Sequence, residues 1–227
     1  MRVDLNADLG ESHGSSPKGD DDALLDVVTS ANVACGFHAG DPVTMRRTCI
    51  GAAACGVVVG AHPSYPDLVG FGRRRMELSG EELTASVVYQ LGALDACCRA
   101  AGTRLAYVKP HGALYHEVSR NTAAARAFVL GVVGVGALAV LGLAGSELLT
   151  AAAELGLPTD AVLFDVENDR LRCSSRAWPY GSCPSPDRLS LIAAPSLVPS
   201  MLAVCRSSLP RSCVATSMFR NWLWRLH

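Results

Sequence analysis

Lysine is nearly missing from this chain of 227 residues: among 20 basic side chains only Lys18 and Lys109 are lysines. Charge of either sign is not in excess. A net charge of −1 gives no reason to expect nucleic acid or an anionic membrane as a partner. The nine cysteines include no CxxC pair and no zinc-like spacing. The opening MRVDLNADLGE carries no apolar stretch ahead of a small-residue cleavage site, so no signal peptide is read there. Free, buried thiols in a cytoplasmic protein follow as the expectation. A GxxxxGK[ST] phosphate loop is absent as well. One long uncharged run exists, AFVLGVVGVGALAVLGLAG from Ala127 to Gly145, close to the length of a membrane span. Its five glycines break it up. A helix end, a turn at Gly134 to Gly136 and a buried strand over ALAVLGL account for it without lipid.

What is present is a chain that is 49% hydrophobic, enough to bury the core of one α/β barrel-sized domain or two small ones. Strand-like segments recur: RVDLNA, SANVACG near Ser30, VVVGA leading to His62, RLAYVKP from Arg104, and ALAVLGL from Ala137. Helical patterns lie between them. DDDALLDVV has acids in its first turn, where the helix dipole favours them. Asp41-Pro42 reads as an N-cap followed by proline at the first helical position. Ser79 with Glu82 forms a capping box that opens a helix ending at Gly102, and Ser146 opens another. Alternation of this kind predicts a parallel sheet with helices outside it, as a β/α barrel or an open sheet.

Each strand candidate runs into polar residues. The first gives Asp4, Asn6, Asp8 and Glu11; the second Asn32, Cys35, His38 and Asp41. The third gives His62, Tyr65 and Asp67, and the fourth Lys109, His111, Tyr115 and His116. Loops after the carboxyl ends of parallel strands gather on one face, where ligands bind. Four of the six histidines fall in these exits, beside glycine or proline. Each residue also has a purely structural reading. Asp4 and Asn6 could satisfy backbone donors, Asp8 and Glu11 could be a loop acid and a solvated charge, and His38 a hydrogen-bonded core histidine. Cys35 reads better as a packed thiol than as a nucleophile. Lys109, directly after an apolar strand, calls for a buried partner or an anionic ligand. Arg73, Arg74 and Arg75 are either a solvated run or a loop, after GFG, that brings one arginine to a phosphate or carboxylate.

These residues carry a family resemblance. DLNADLGES, ANVACGFHAGDP, GAHPSYPD followed by GFGRR, and VKPHGALY resemble, in order, the signature blocks of the 5-oxoprolinase A-subunit family, also called LamB/YcsF; GLAGSELL resembles a weaker further block. The resemblance covers roughly Met1 to Thr159. It implies a β/α barrel-like parallel fold related to the polysaccharide deacetylases. It also implies one subunit of an enzyme that opens 5-oxo-L-proline to L-glutamate with ATP as co-substrate, accompanied by Mg2+ and by two partner subunits, B and C. No tightly bound cofactor is expected. Within that chemistry the catalytic expectation falls on Asp8, His38, His62, Lys109 and His111. Binding of substrate or ATP falls on Asp4, Asn6, Glu11, Asn32, Arg73 and Tyr115. The alternative is a metal-dependent deacetylase-like hydrolase, with Asp8, His38 and His62 as ligands, or an inactive remnant.

The end of the chain departs from the family pattern. A Val-Phe-Ala-Asp-Arg element and a later His-Gly-Asp element are expected, and AVLFDVENDRLRC is what stands after Thr159. From Val166 there are eight arginines, eleven serines, four cysteines and six prolines but only three acids and no lysine. RCSSRAWPYGSCPSPDR follows neither the helical nor the strand period. The expectation is therefore a partial barrel domain over 1–159 and a divergent tail over 160–227. The tail reads as translation in another frame, with a divergent domain or a lineage-specific extension as alternatives. Loss of the last strands would leave an open parallel edge and low solubility.

Overall fold

The computed structural model describes residues 2–16, 18–167, 170–173 and 188–192. In chain order the elements are β1 (Arg2–Leu9), α1 (Asp21–Leu25), β2 (Ser30–Ala34), α2 (Pro42–Cys55), β3 (Val58–His62), α3 (Gly80–Ala100) and β4 (Leu105–Val108). They continue with α4 (Gly112–Arg120), α5 (Thr122–Val135), β5 (Ala139–Leu143), α6 (Glu147–Glu154), β6 (Thr159–Glu167), β7 (Arg170–Cys173) and β8 (Arg188–Ile192). The expected caps are in place. Asp41 accepts from Val43 N and Thr44 N at the start of α2, Ser79 and Glu82 exchange both bonds of the capping box on α3, and Ser146 caps α6. The apolar run resolves into the end of α5, a turn at Gly136 and β5. Among the described residues no helix is long and apolar enough to cross a membrane.

Strands β1 to β6 pair in parallel with their neighbours in chain order. β8 lies parallel to both β1 and β6, and β7 returns antiparallel along β6. Pairing thus runs round a ring of seven parallel strands, an α/β barrel-like fold. Along β1, Arg188 to Ile192 pair with Arg2 to Asn6. Five residues suffice because one strand needs only a short ladder, and periodicity over so few residues is not diagnostic. The remainder of the tail lies outside the described residues.

β1 has two faces. Ala7 and Leu9 are fully buried in the main core with Val33, Val59, Val108, Leu91 and Phe128, side chains whose burial stabilises by roughly 1.5–3 kcal/mol each for the larger ones. Asp4, Asn6 and Asp8 alternate with them on the other face. That face lines the ring interior, because Asn6 of β1 reaches Tyr107 of β4 at 2.8 Å across two intervening strands. α3 packs its Leu83, Val87, Leu91, Leu94 and Cys98 stripe inward, and Gly131 of α5 meets it so closely that a Cβ there would stand 2.7 Å from Val87. Of the helices, α4 has no counterpart in the sequence-based expectation.

Candidate active site

The polar face of β1 begins a continuous hydrogen-bonded chain. Strand register sets Asn6 opposite Ser30 and Asp8 opposite Asn32. Asp4 accepts from Thr29 Oγ1 and from Ser30 Oγ (2.8 Å); Ser30 Oγ accepts from Asn6 Nδ2 at 2.7 Å. Asn6 also donates to the Tyr107 hydroxyl, which donates onward to Asn32 Oδ1 at 2.8 Å. Asn32 Nδ2 donates to Asn6 Oδ1 at 2.5 Å and to Asp8 Oδ1 at 2.7 Å. Every donor has an acceptor, and the chain ends in a carboxylate on either side. Asn6 and Asn32 are fully buried, so their bonds fix Asp8 from beneath. Gly60 makes room for this: a Cβ there would fall 2.1 Å from the Tyr107 ring. Sequence reasoning misses Tyr107 as a site residue because a tyrosine in a strand reads as core; the glycine opposite it is a signal visible only with the register.

Above this floor the strand exits converge. His62 ends β3. Lys109 N donates to Ala61 O and His111 N to Pro63 O, each at 2.9 Å, extending the β3–β4 pairing past the strand proper. The two side chains are thereby placed beside His62. Asp8 Oδ1 lies 3.3 Å from His62 Nε2 and 3.4 Å from Lys109 Nζ. His62 Nδ1 donates to the Lys109 carbonyl at 2.7 Å. His111 Nε2 donates to the Phe71 carbonyl at 2.9 Å, and its Nδ1 stands 3.1 Å from His62 Nε2. His38 stacks on His111 with ring centres 4.0 Å apart, and its Nε2 is 4.0 Å from Glu11 Oε1. His38 is fully buried, and neither ring nitrogen has a hydrogen-bond partner among the described residues.

Burial and charge set the protonation pattern. Burial would raise the Asp8 carboxyl, but His62 and Lys109 outweigh it and hold Asp8 well below the usual carboxylate range. Glu11 is raised to about 7, by burial first and then by the Asp8 charge. Burial with the neighbouring imidazoles lowers His38, and lowers His111 to about 3, keeping both rings neutral at pH 7. Cys35 donates to Val33 O, and burial pushes its thiol up to about 12, the behaviour of a packed thiol.

The loop after β3 supplies the wall. Asp67 accepts from Gly70 N (2.9 Å), Arg74 N (3.3 Å) and the Arg74 guanidinium. That clamp holds Phe71 at φ +56°, unusual for a bulky residue, and presents its carbonyl to His111. Lys18 Nζ lies 3.4 Å above the Phe71 ring, and Arg73 is 5.4 Å away. Of the arginine run, Arg74 is engaged by Asp67 and Arg75 by Glu117. Arg73 also lines a cleft of about 450 Å3 with His116 and Arg120, along α4 and outside the histidine cluster. Tyr115 is buried on α4, its ring 5.8 Å from His116. Tyr65 is buried too, and Asp41 serves as the α2 cap while also accepting from Gly14 N.

The family model described as the LamB/YcsF family matches residues 3–170. The chain belongs to the LamB/YcsF family. It is 61% identical over 158 residues to a protein from Mycolicibacterium gilvum named as the A subunit of 5-oxoprolinase, covering 69% of this chain and 63% of the relative. A Streptomyces coelicolor protein of the same name is 62% identical over 156 residues, covering 68% and 62%. The crystal structure of a lactam utilization protein from Thermus thermophilus superposes with a TM-score of 0.69 at 48% identity, covering 71% of this chain and 66% of that one. The chain thus spans a little under two thirds of the length of the two 5-oxoprolinase relatives. Their name marks each as one subunit among others.

As a LamB/YcsF chain, this molecule brings Asp8, Glu11, His62 and His111 together so that one ligand atom of each lies within 4.8 Å of the others. His38, expected with Asp8 and His62 in a metal-binding set, is not one of these four; it backs His111 instead.

Proposed function

We propose that this chain is the site-bearing part of a 5-oxoprolinase subunit, which opens 5-oxo-L-proline to L-glutamate at the expense of ATP. The observation that carries the reading is the meeting of Lys109, Asp8 and the His62–His111 pair at the strand exits of a chain whose relatives are named for this lactam. A lactam is a resonance-stabilised amide and resists water. Transfer of the γ-phosphoryl group to the lactam oxygen, with ADP leaving, makes the ring carbon electrophilic. Water adds there and gives up a proton, the C–N bond breaks as nitrogen takes one, and a second water releases phosphate from the acyl phosphate. Lys109 suits the substrate carboxylate. The His62 imidazole offers a proton-transfer group, and Glu11, near half-protonation at pH 7, can take or give a proton. Asp8 orients the attacking water. Mg2+ would accompany the nucleotide through hard oxygen ligands, and the B and C subunits would complete the nucleotide site.

Ligand-observed NMR with the purified chain tests the substrate class. 5-Oxoproline should bind and proline should not, because proline lacks the lactam oxygen, and Lys109→Ala should abolish the signal. Equal binding of both, or binding unaffected by Lys109→Ala, would sink the reading. An N-acetyl sugar bound in preference would favour the deacetylase alternative.

A further inference from the structure

The two central histidines have their outer nitrogens committed. His62 Nδ1 lies 2.7 Å from the Lys109 carbonyl and His111 Nε2 2.9 Å from the Phe71 carbonyl. A carbonyl only accepts, so both nitrogens carry hydrogen. The inward nitrogens, His62 Nε2 and His111 Nδ1, face each other at 3.1 Å, with Asp8 Oδ1 3.3 Å from the first. A positive centre placed among these three atoms would be within reach of all of them. Glu11 is the fourth donor of the group.

We infer that Asp8, Glu11, His62 and His111 form a site for one divalent transition-metal ion of the zinc class, a proposal that goes beyond the lactam reading and does not depend on it. The geometry fits such an ion. Zinc bonds to imidazole nitrogen and carboxylate oxygen imply tetrahedral ligand–ligand edges of roughly 3.3–3.6 Å, against the 3.1 and 3.3 Å found. The remaining separations need shifts of at most about 1.5 Å, and Glu11, 19% exposed, is the ligand with room to move while Asn32 holds Asp8. Two imidazoles favour zinc, nickel or iron over magnesium, whose preference is for oxygen. The outer contacts match a ligand shell: each imidazole donates its far N–H to a backbone carbonyl, and Asn32 donates to Asp8 at 2.7 Å. Lys109 at 3.4 Å from Asp8 does not fill the place of the ion, since a carboxylate offers about four lone-pair sites and can serve both. His38, fully buried with no hydrogen-bond partner among the described residues, adds an imidazole face and a further nitrogen at the edge of the site.

Equilibrium dialysis of the full chain against zinc, with metal counted by mass spectrometry, tests the site without any activity readout. One zinc per chain is expected. Glu11→Gln, at the rim of the site, should weaken binding by about 100-fold, at or above the 10–100-fold typical of losing an outer partner; His62→Gln/His111→Gln should lose it altogether. His38→Gln should keep the stoichiometry. Cobalt in place of zinc should give a visible spectrum without the strong near-ultraviolet thiolate band, which excludes the cysteines. A folded chain, checked by circular dichroism, that retains no zinc would overturn the proposal and leave a proton shared between the two rings as the occupant. Zinc held equally by the Glu11 and double-histidine variants would overturn it too. Loss of zinc alongside intact 5-oxoproline binding would sink this inference and spare the lactam reading.

Discussion

The carbonyl of Phe71 accepts from Nε2 of His111 at 2.9 Å, so one wall loop decides how the His111 ring is turned. The residue that follows makes this possible. Gly72 has φ +66°, and a Cβ there would stand 2.2 Å from Ser64 Oγ and 2.9 Å from both His111 Cδ2 and His38 Cβ. Gly72→Ala should therefore cost about 1–2 kcal/mol from the backbone alone and more from the clash. Differential scanning calorimetry should show Tm lowered by roughly 4 °C or more, at about 2–4 °C per kcal/mol for a chain of this size. An unchanged Tm would mean that the loop is not packed against the histidines as described.

Tyr107 makes a second, quite different prediction. Its hydroxyl accepts from Asn6 and donates to Asn32, both at 2.8 Å, in a fully enclosed network. Tyr107→Phe preserves the ring against Gly60 but leaves a buried acceptor and a buried donor each one partner short. Urea unfolding should show a loss of about 1–3 kcal/mol. A change within about 0.5 kcal/mol, the roughly neutral range, would show that the asparagines find other partners.

Strands, caps and the gathering of acids and histidines at strand exits are all readable in the sequence, since each rests on local periodicity or a short capping pattern. Ser79 with Glu82 and Asp41 with Pro42 are cases in which the local signal and the fold agree. What cannot be read is which exits touch. His38 and His111 are both exit histidines, yet only the β3–β4 register puts His111 beside His62 and leaves His38 behind it. Asn6 and Asn32 read as ligand-binding groups; their burial and mutual bonds depend on a register that no single strand encodes. α4 escapes notice because it starts at a strand exit where the polar residues draw the reading toward a loop. β8 is too short for its period to be seen.

Acid should weaken the wall loop. Hydrogen bonds from Arg74, then from Gly70 N, hold the Asp67 carboxyl down at about 2, against about 3.9 when unfolded. A folded value below the unfolded one means that the contribution is complete above about pH 4 and is lost as the pH falls towards 2. Asp67→Asn should flatten that limb of the Tm–pH curve relative to the parent chain. Asp41, also held at about 2 by the backbone N–H of Thr44 and Gly14, titrates in the same window, so Asp41→Asn should remove a separate share of the slope. Identical curves for parent and Asp67→Asn would show that the clamp adds nothing to stability.

The last prediction concerns turnover by the chain on its own. Opening the lactam needs a phosphoryl donor held in line with the ring oxygen, and the sequence contains no GxxxxGK[ST] loop to cradle one. Lys18, Lys109 and Arg73 offer cationic side chains, but Lys18 and Arg73 lie over the Phe71 ring and Lys109 is drawn to Asp8. The activated carbon must also be shielded from bulk water until the nucleophile is placed, yet Asp8, at the centre of the cluster, is about a third exposed. A covering partner would close that opening. The purified chain should therefore give no ATP-dependent release of glutamate or phosphate from 5-oxoproline. A full-length relative with its partner subunits should give both products in equal amounts. This chain, which spans a little under two thirds of those relatives, should give little or nothing in the relative's place. Assays of glutamate and phosphate in parallel mixtures decide it: robust turnover by the single chain would show that the histidine cluster and its own cations suffice, and the need for partners would fall.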